Sequence, residues 1–212
     1  MIVELRKFKA RHGGQAAWFN YPDLELEQGQ CVVLMGKTGC GKTTLLNALF
    51  QYSFPGEVDY EKAEILGVDW RDRGKNSYGL VSYMPQYAQS GLNPSLTVGE
   101  QIDLVRRCCF HPVENPYAYF EELGLKKDIT ERYPFEISGG MKQRVALLLG
   151  FIKKPALFVL DEPSSALDYI TLVKTVNFLK RRKEESCAIL MVSHHSGFAA
   201  GIADKVKVLR EG

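Results

Sequence analysis

Gly36-Lys37-Thr38-Gly39-Cys40-Gly41-Lys42-Thr43-Thr44 decides how the rest of this 212-residue chain is read. Ahead of it stands Cys31-Val-Val-Leu-Met35, a short apolar run with the character of a buried strand. Behind it, Thr44-Leu-Leu-Asn-Ala-Leu-Phe50 is apolar at helical spacing. Strand, glycine loop and helix in that order are the context that gives G-x-x-x-x-G-K-[ST] its meaning. Gly36, Gly39 and Gly41 permit a tight loop whose backbone N–H groups converge on phosphate oxygens. The following helix adds the positive end of its dipole. The pattern predicts a nucleotide site with Lys42 on the β- and γ-phosphates and Thr43 on Mg2+. Cys40 then places a thiol beside the nucleotide.

A second stretch answers the first. Ala156-Leu-Phe-Val-Leu160 is an apolar run that ends in Asp161-Glu162-Pro163. Strand tips are where α/β sheets bind ligands. Asp161 is placed to hold Mg2+ and Glu162 to polarise an attacking water. Between the two stretches lies Ile137-Ser138-Gly139-Gly140-Met141-Lys-Gln-Arg144. Ser138 can cap a helix, and the two glycines let a phosphate approach closely.

In this order the three stretches resemble the Walker A, signature and Walker B motifs of the ABC-transporter ATPases. Smaller elements fit the same family. Ser82-Tyr-Met-Pro-Gln86 resembles its Q-loop, implying that Gln86 senses Mg2+ and the lytic water. Ser164-Ser165-Ala166-Leu167-Asp168 is similar to its D-loop. Ala188-Ile-Leu-Met-Val-Ser193-His194 resembles the strand that ends in the switch histidine. The family's histidine directly follows Ser or Thr, which selects His194 over His195. The family commonly stacks adenine on an upstream aromatic residue. Alignment puts His12 there, with Phe8 and Trp18 as alternatives. An imidazole offers less stacking area than Tyr or Trp, so base preference stays open.

The resemblance implies an α/β fold. A P-loop NTPase (RecA-like) core carries an N-terminal antiparallel β subdomain and an inserted helical subdomain. The whole of 1–212 is expected to be one domain. Residues 1–86 and 154–212 would form the nucleotide-binding core with the β subdomain, and 87–153 the helical subdomain. Tyr117, Tyr119, Phe120, Tyr133 and Phe135 read mostly as the core of that helical lobe, with a minority free to line a groove for another protein. The resemblance also implies ATP hydrolysis in a head-to-tail sandwich with a second ATPase subunit, identical or paralogous. The Ser138-Gly139-Gly140-Met141 turn of one subunit then acts on the other's ATP. Transmembrane permease subunits are the implied partners, with a substrate-binding protein engaged indirectly. The expected location is the cytoplasmic side of a membrane, as a peripheral subunit.

Gly91-Leu-Asn-Pro-Ser-Leu-Thr-Val-Gly-Glu-Gln-Ile102 and Tyr133–Arg144 narrow the resemblance to the oligopeptide, dipeptide and nickel importers. Uptake of a peptide or metal chelate follows as the expected work. That subgroup usually extends past the last core strand, whereas this chain stops at Gly212, so extension-dependent pairing or regulation is expected to be absent. Exporters, and a non-transport subunit that scaffolds a soluble enzyme complex such as one for phosphonate breakdown, are the alternatives. A small GTPase would need an Asn-Lys-x-Asp motif, which the sequence lacks. Residues 87–153 are too few for the long heptad arms of a DNA-repair ATPase.

Composition agrees with a globular domain, at 45% apolar and 25% charged. Twenty-seven basic against twenty-five acidic residues leave +2, which gives no pull toward nucleic acid or anionic lipid. No apolar run reaches the roughly 18–20 residues needed to cross a bilayer, so any membrane link is expected through a partner. Met1–Lys9 has no uncharged core and does not read as a secretory signal. Five cysteines without a CxxC pair read as reduced thiols acting as small core hydrophobes. The tract Lys180-Arg-Arg-Lys183 reads as a solvated helix end.

Overall fold

The computed structural model describes residues 1–14, 17–51, 53–72, 79–109, 111–164 and 167–209. In chain order the strands are β1 (Val3–Arg6), β2 (Lys9–His12), β3 (Phe19–Asn20), β4 (Leu24–Leu26), β5 (Cys31–Met35), β6 (Gly56–Asp59), β7 (Lys62–Ile65), β8 (Val68–Asp69), β9 (Val81–Met84), β10 (Leu157–Asp161), β11 (Ala188–Val192) and β12 (Lys205–Val208). The helices are α1 (Lys42–Phe50), α2 (Val98–Arg107), α3 (Tyr119–Glu122), α4 (Gly139–Phe151), α5 (Tyr169–Glu184) and α6 (Ser196–Ile202).

The unbroken apolar runs become interior strands, because a parallel sheet covered on both faces tolerates no polar alternation. Every residue of β10 and β11 is buried. These strands belong to a parallel sheet in the order β12-β5-β11-β10-β9. Since all five strands point the same way, their C-terminal ends share one edge. Register aligns that edge: Leu34 opposes Val192, Val192 opposes Asp161, and Leu160 opposes Met84. The loops bearing Gly36, His194, Glu162 and Gln86 therefore leave the sheet side by side.

Alternation along each strand divides the core in two. Val33, Phe158, Leu160, Ile189 and Met191 face the helices, packing with Ile102, Phe120, Leu148 and Phe178. Val32, Leu34, Val159, Leu190 and Val192 face the other way, onto α1 and the antiparallel strands through Leu45, Leu49, Val3 and Leu5. The antiparallel strands make a four-stranded sheet, β4-β1-β7-β8, and a three-stranded one, β3-β2-β6. Helical structure dominates between β9 and β10. There α2 opens on a full capping box: Thr97 Oγ1 accepts the Glu100 N–H at 3.2 Å, and Glu100 Oε2 accepts the Thr97 N–H at 2.7 Å.

Some local expectations change in three dimensions. The stretch 116–123 forms a 3-10 turn, Pro116–Ala118, followed by the single turn α3, because Pro116 and Gly124 bound it closely. Cys31, Cys40 and Cys187 are buried as expected, but Cys108 is exposed and Cys109 half-buried at the end of α2. The tract 180–183 is not uniformly solvated. Arg182 turns inward, and Lys183 pairs with Asp204 at 2.6 Å. Among the described residues no helix is long and apolar enough to cross a membrane.

Candidate functional site

The loop between β5 and α1 is held by constraints that only glycine meets. Gly41 has φ +89°, and a Cβ there would lie 2.7 Å from the Phe19 ring and 3.0 Å from the Tyr21 hydroxyl. A Cβ on Gly36 would lie 2.6 Å from Cys40 Sγ and 2.9 Å from the Leu209 carbonyl. The Tyr21 hydroxyl donates to the Gly41 carbonyl at 3.0 Å, fixing the loop from below. No motif spacing signals Tyr21 or Phe19; both arrive from the antiparallel layer. Gly41 occupies the N-cap of α1 without a side-chain cap, so first-turn N–H groups face the loop. The Lys42 ammonium donates to the carbonyls of Gly36 and Lys37, each at 2.7 Å, and lies 3.9 Å from Cys40 Sγ.

Strand pairing carries the acidic residues to the same place. Thr38, Gly39, Gly41, Lys42, Thr43, Thr44, Gln86, Asp161, Glu162 and His194 line one cleft of about 270 Å³. Thr43 Oγ1 donates to Asp161 Oδ2 at 3.1 Å, while Asp161 Oδ1 is buried with no hydrogen-bond partner. Burial pushes the Asp161 carboxyl up. The Thr43 hydroxyl opposes the rise, the Glu162 charge adds to it, and Lys42 opposes it. A hydroxyl beside a carboxylate with a spare buried oxygen fits Mg2+, a hard cation that takes few protein oxygens and leaves the rest to phosphate and water.

Glu162 is 5% exposed and its backbone stands at φ +49°, a region non-glycine residues seldom occupy. Its N–H donates to the Val192 carbonyl at 2.9 Å, which ties it to the neighbouring strand end. Its carboxylate meets His194 twice, Oε1 lying 2.9 Å from Nδ1 and Oε2 accepting the His194 N–H at 3.3 Å. His195 is engaged elsewhere, where its Nδ1 accepts the Phe198 N–H at 3.0 Å and caps α6. Geometry therefore brings His194, and not its neighbour, to the acidic pair.

Of the three rings considered for a base, His12 reaches the loop helix, with Nε2 3.3 Å from Thr44 Oγ1 and its ring 5.3 Å from Phe54, tilted 50°. Phe8 is buried against Tyr21 and Tyr60. Trp18 lies under Lys9 and Arg11, at 5.3 and 4.8 Å.

The Ser138 turn stands elsewhere on the surface. Ser138 Oγ accepts the Met141 N–H at 3.3 Å and caps α4. Ser138 and Gly139 are exposed, and a Cβ built on Gly139 meets nothing within 4 Å. Ser165 and Ala166 lie outside the described residues. After them, Asp168 caps α5 by accepting the Thr171 N–H at 3.0 Å and the Thr171 hydroxyl at 2.8 Å, which together hold its carboxyl below the usual range. Arg144 Nη1 donates to the same Thr171 hydroxyl at 2.7 Å, joining α4 to that cap. No sequence signal points to Thr171, because the pairing spans two helices.

The sequence pattern of the ABC transporter family matches residues 19–165. The glutamine transport ATP-binding protein GlnQ of Geobacillus stearothermophilus is 31% identical over 199 residues, covering 90% of this chain and 79% of that protein. The oligopeptide transport ATP-binding protein OppD of Salmonella typhimurium is 30% identical over 226 residues, covering 100% of this chain and 67% of that protein. The chain spans only 60% of the length of OppD from Lactococcus lactis. A solved dimeric ATP-binding cassette, MJ0796 in a post-hydrolysis state bound to ADP and Pi, has a TM-score of 0.78 at 21% identity and covers 99% of this chain and 95% of its own. At that identity the likeness speaks for the fold.

Proposed function

The chain belongs to the ABC transporter family, and from that premise we propose that it binds and hydrolyses ATP to power solute uptake through partner membrane subunits. The observation that carries this reading is the meeting of Lys42, the Thr43–Asp161 pair and the Glu162–His194 pair around one cleft. In this reading Gly36–Thr44 cradle the triphosphate. Lys42 exchanges its loop carbonyls for β- and γ-phosphate oxygens. Thr43, Gln86 and Asp161 hold Mg2+, which neutralises phosphate charge when bound. Glu162 takes the proton of the attacking water, and its bond to His194 aims the imidazole at the γ-phosphate. Catalysis is then mostly positioning and charge neutralisation, as a loose phosphoryl transition state requires.

The exposed Ser138 turn acts in trans. A second ATPase subunit, arranged head to tail, presents Ser138, Gly139, Gly140 and Met141 over the γ-phosphate, with Leu167 and Asp168 running alongside. The open space above Gly139 supports this role. Closure moves residues 87–153, and Tyr87–Gly91 pass the motion to a helix of the membrane subunit. The place of work is the cytoplasmic face of that membrane. Peptide or metal-chelate uptake is the cargo reading, resting on the likeness of Gly91–Ile102 and Tyr133–Arg144 to those importers; no nucleic acid is involved.

Glu162→Gln tests the chemistry. It should keep ATP binding, slow hydrolysis by about 10²–10⁴-fold, and accumulate nucleotide-loaded dimers in light scattering. Wild-type turnover in that variant would remove Glu162 from its role. Co-purification with soluble enzyme subunits, in place of membrane subunits, would overturn the transport reading.

A further inference from the structure

We infer that Phe135, stacked on Tyr133 just ahead of the signature helix, is the surface on which the adenine of a second copy's ATP rests. The inference depends on the head-to-tail arrangement proposed above and adds to it the group that grips the base. Phe135 is 72% exposed and Tyr133 38%, although the neighbouring Phe120 is buried and Tyr117 and Tyr119 pack against the helical core. The two exposed rings lie within 7° of parallel with centroids 5.5 Å apart.

The pair is held rigidly outward. Glu136 accepts the Tyr133 N–H at 2.7 Å and returns its own N–H to the Tyr133 carbonyl at 3.0 Å. Pro134 and Ile137 are buried on either side of Phe135 and pin the backbone. A flat apolar face fixed in water gains free energy when a planar ligand covers it.

Position supplies the ligand. Phe135 stands three residues before Ser138, a reach of at most about 10 Å even for extended chain. When the Ser138 turn covers a γ-phosphate, the aromatic pair lies within a nucleotide's length of it. In the copy that holds the triphosphate, the three rings considered for the base are already engaged. His12 is a small ring already engaged with Thr44 and tilted on Phe54. Phe8 is buried, and cations cover Trp18. A base set against His12 in one copy and Phe135 of the other would have rings on both faces. Stacking of this kind accepts any base, with purines favoured by their larger area.

The test uses the full chain with Mg2+ and ATP. Hydrolysis and pairing by the wild type establish the underlying arrangement; their absence would sink that arrangement and this inference together. Given them, Phe135→Ala should raise the KM for ATP about tenfold with kcat changed less than twofold, while Phe135→Tyr keeps the wild-type KM. Mixing then assigns the copy. Phe135→Ala combined with excess Lys42→Ala forms sites where the Phe135→Ala copy grips ATP under an intact partner ring, and KM should return to the wild-type value. Wild type combined with excess Lys42→Ala/Phe135→Ala double variant should show the raised KM. Phe135→Trp should lose part of its added emission when ATP is bound, a readout free of turnover. An unchanged KM in Phe135→Ala, or a penalty that follows the ATP-gripping copy, overturns the inference.

Discussion

The two ends of the parallel sheet bury charge in opposite ways. At the C-terminal edge Asp161 and Glu162 are buried, one carboxylate oxygen has no partner, and the backbone of Glu162 is strained. At the other end, where α5 returns to β11, Arg182 is 2% exposed. Its guanidinium carbon lies 4.4, 5.2 and 4.8 Å from the ring centres of Tyr119, Phe151 and Phe178, and it pairs with Glu185 at 3.0 Å and Glu122 at 3.5 Å. Cation–π contacts and ion pairs there offset the desolvation of Arg182 from within the chain, although its Nε and Nη1 donate to no oxygen among the described residues. At the acidic edge His194 and Thr43 meet only part of the demand: Asp161 Oδ1 keeps no partner, and burial and the neighbouring Glu162 charge push the Asp161 carboxyl up, as expected of a surface whose remaining partners arrive with a ligand.

The contrast is broken most sharply at the phosphate loop. Lys42→Ala should weaken ATP binding about 100-fold, the scale of a lost charge-assisted contact, as read by equilibrium titration. Its melting temperature should stay close to the wild type. Arg182→Ala should do the reverse. Removing a buried, paired cation and its ring contacts should lower the unfolding free energy by about 2–4 kcal/mol in urea titrations, with ATP affinity unchanged. Weakened ATP binding without lost stability in Arg182→Ala would erase the distinction between the ends. Thr97→Ala provides the smallest step. Loss of its cap should cost about 1 kcal/mol and leave ATP binding untouched, marking the scale of a local change in the helical layer.

Much of the acidic edge is legible because its residues work as short contiguous patterns. The glycine loop needs a strand before it and a helix after it, and Cys31–Met35 and Thr44–Phe50 declare both. Asp161 and Glu162 end an apolar run. The foot of the sheet is not legible in the same way. Lys180–Lys183 has the composition of a solvated helix end, and nothing local says that Arg182 alone meets three rings drawn from α3, α4 and α5. Composition groups Tyr133 and Phe135 with the core aromatics of the lobe, yet they stay outside because Pro134 and Ile137 take the buried positions.

The choice between His194 and His195 marks the boundary between the two kinds of information. Sequence by itself determined the chemistry of the glycine loop and of the acidic strand end, since each depends on residues adjacent in the chain. Tertiary structure decided which atoms face one another: Thr43 on Asp161, His194 on Glu162, Arg144 on the Asp168 cap. Those meetings follow from parallel pairing of strands far apart in the chain and from packing between helices, and the register of such contacts is fixed only when the whole core closes.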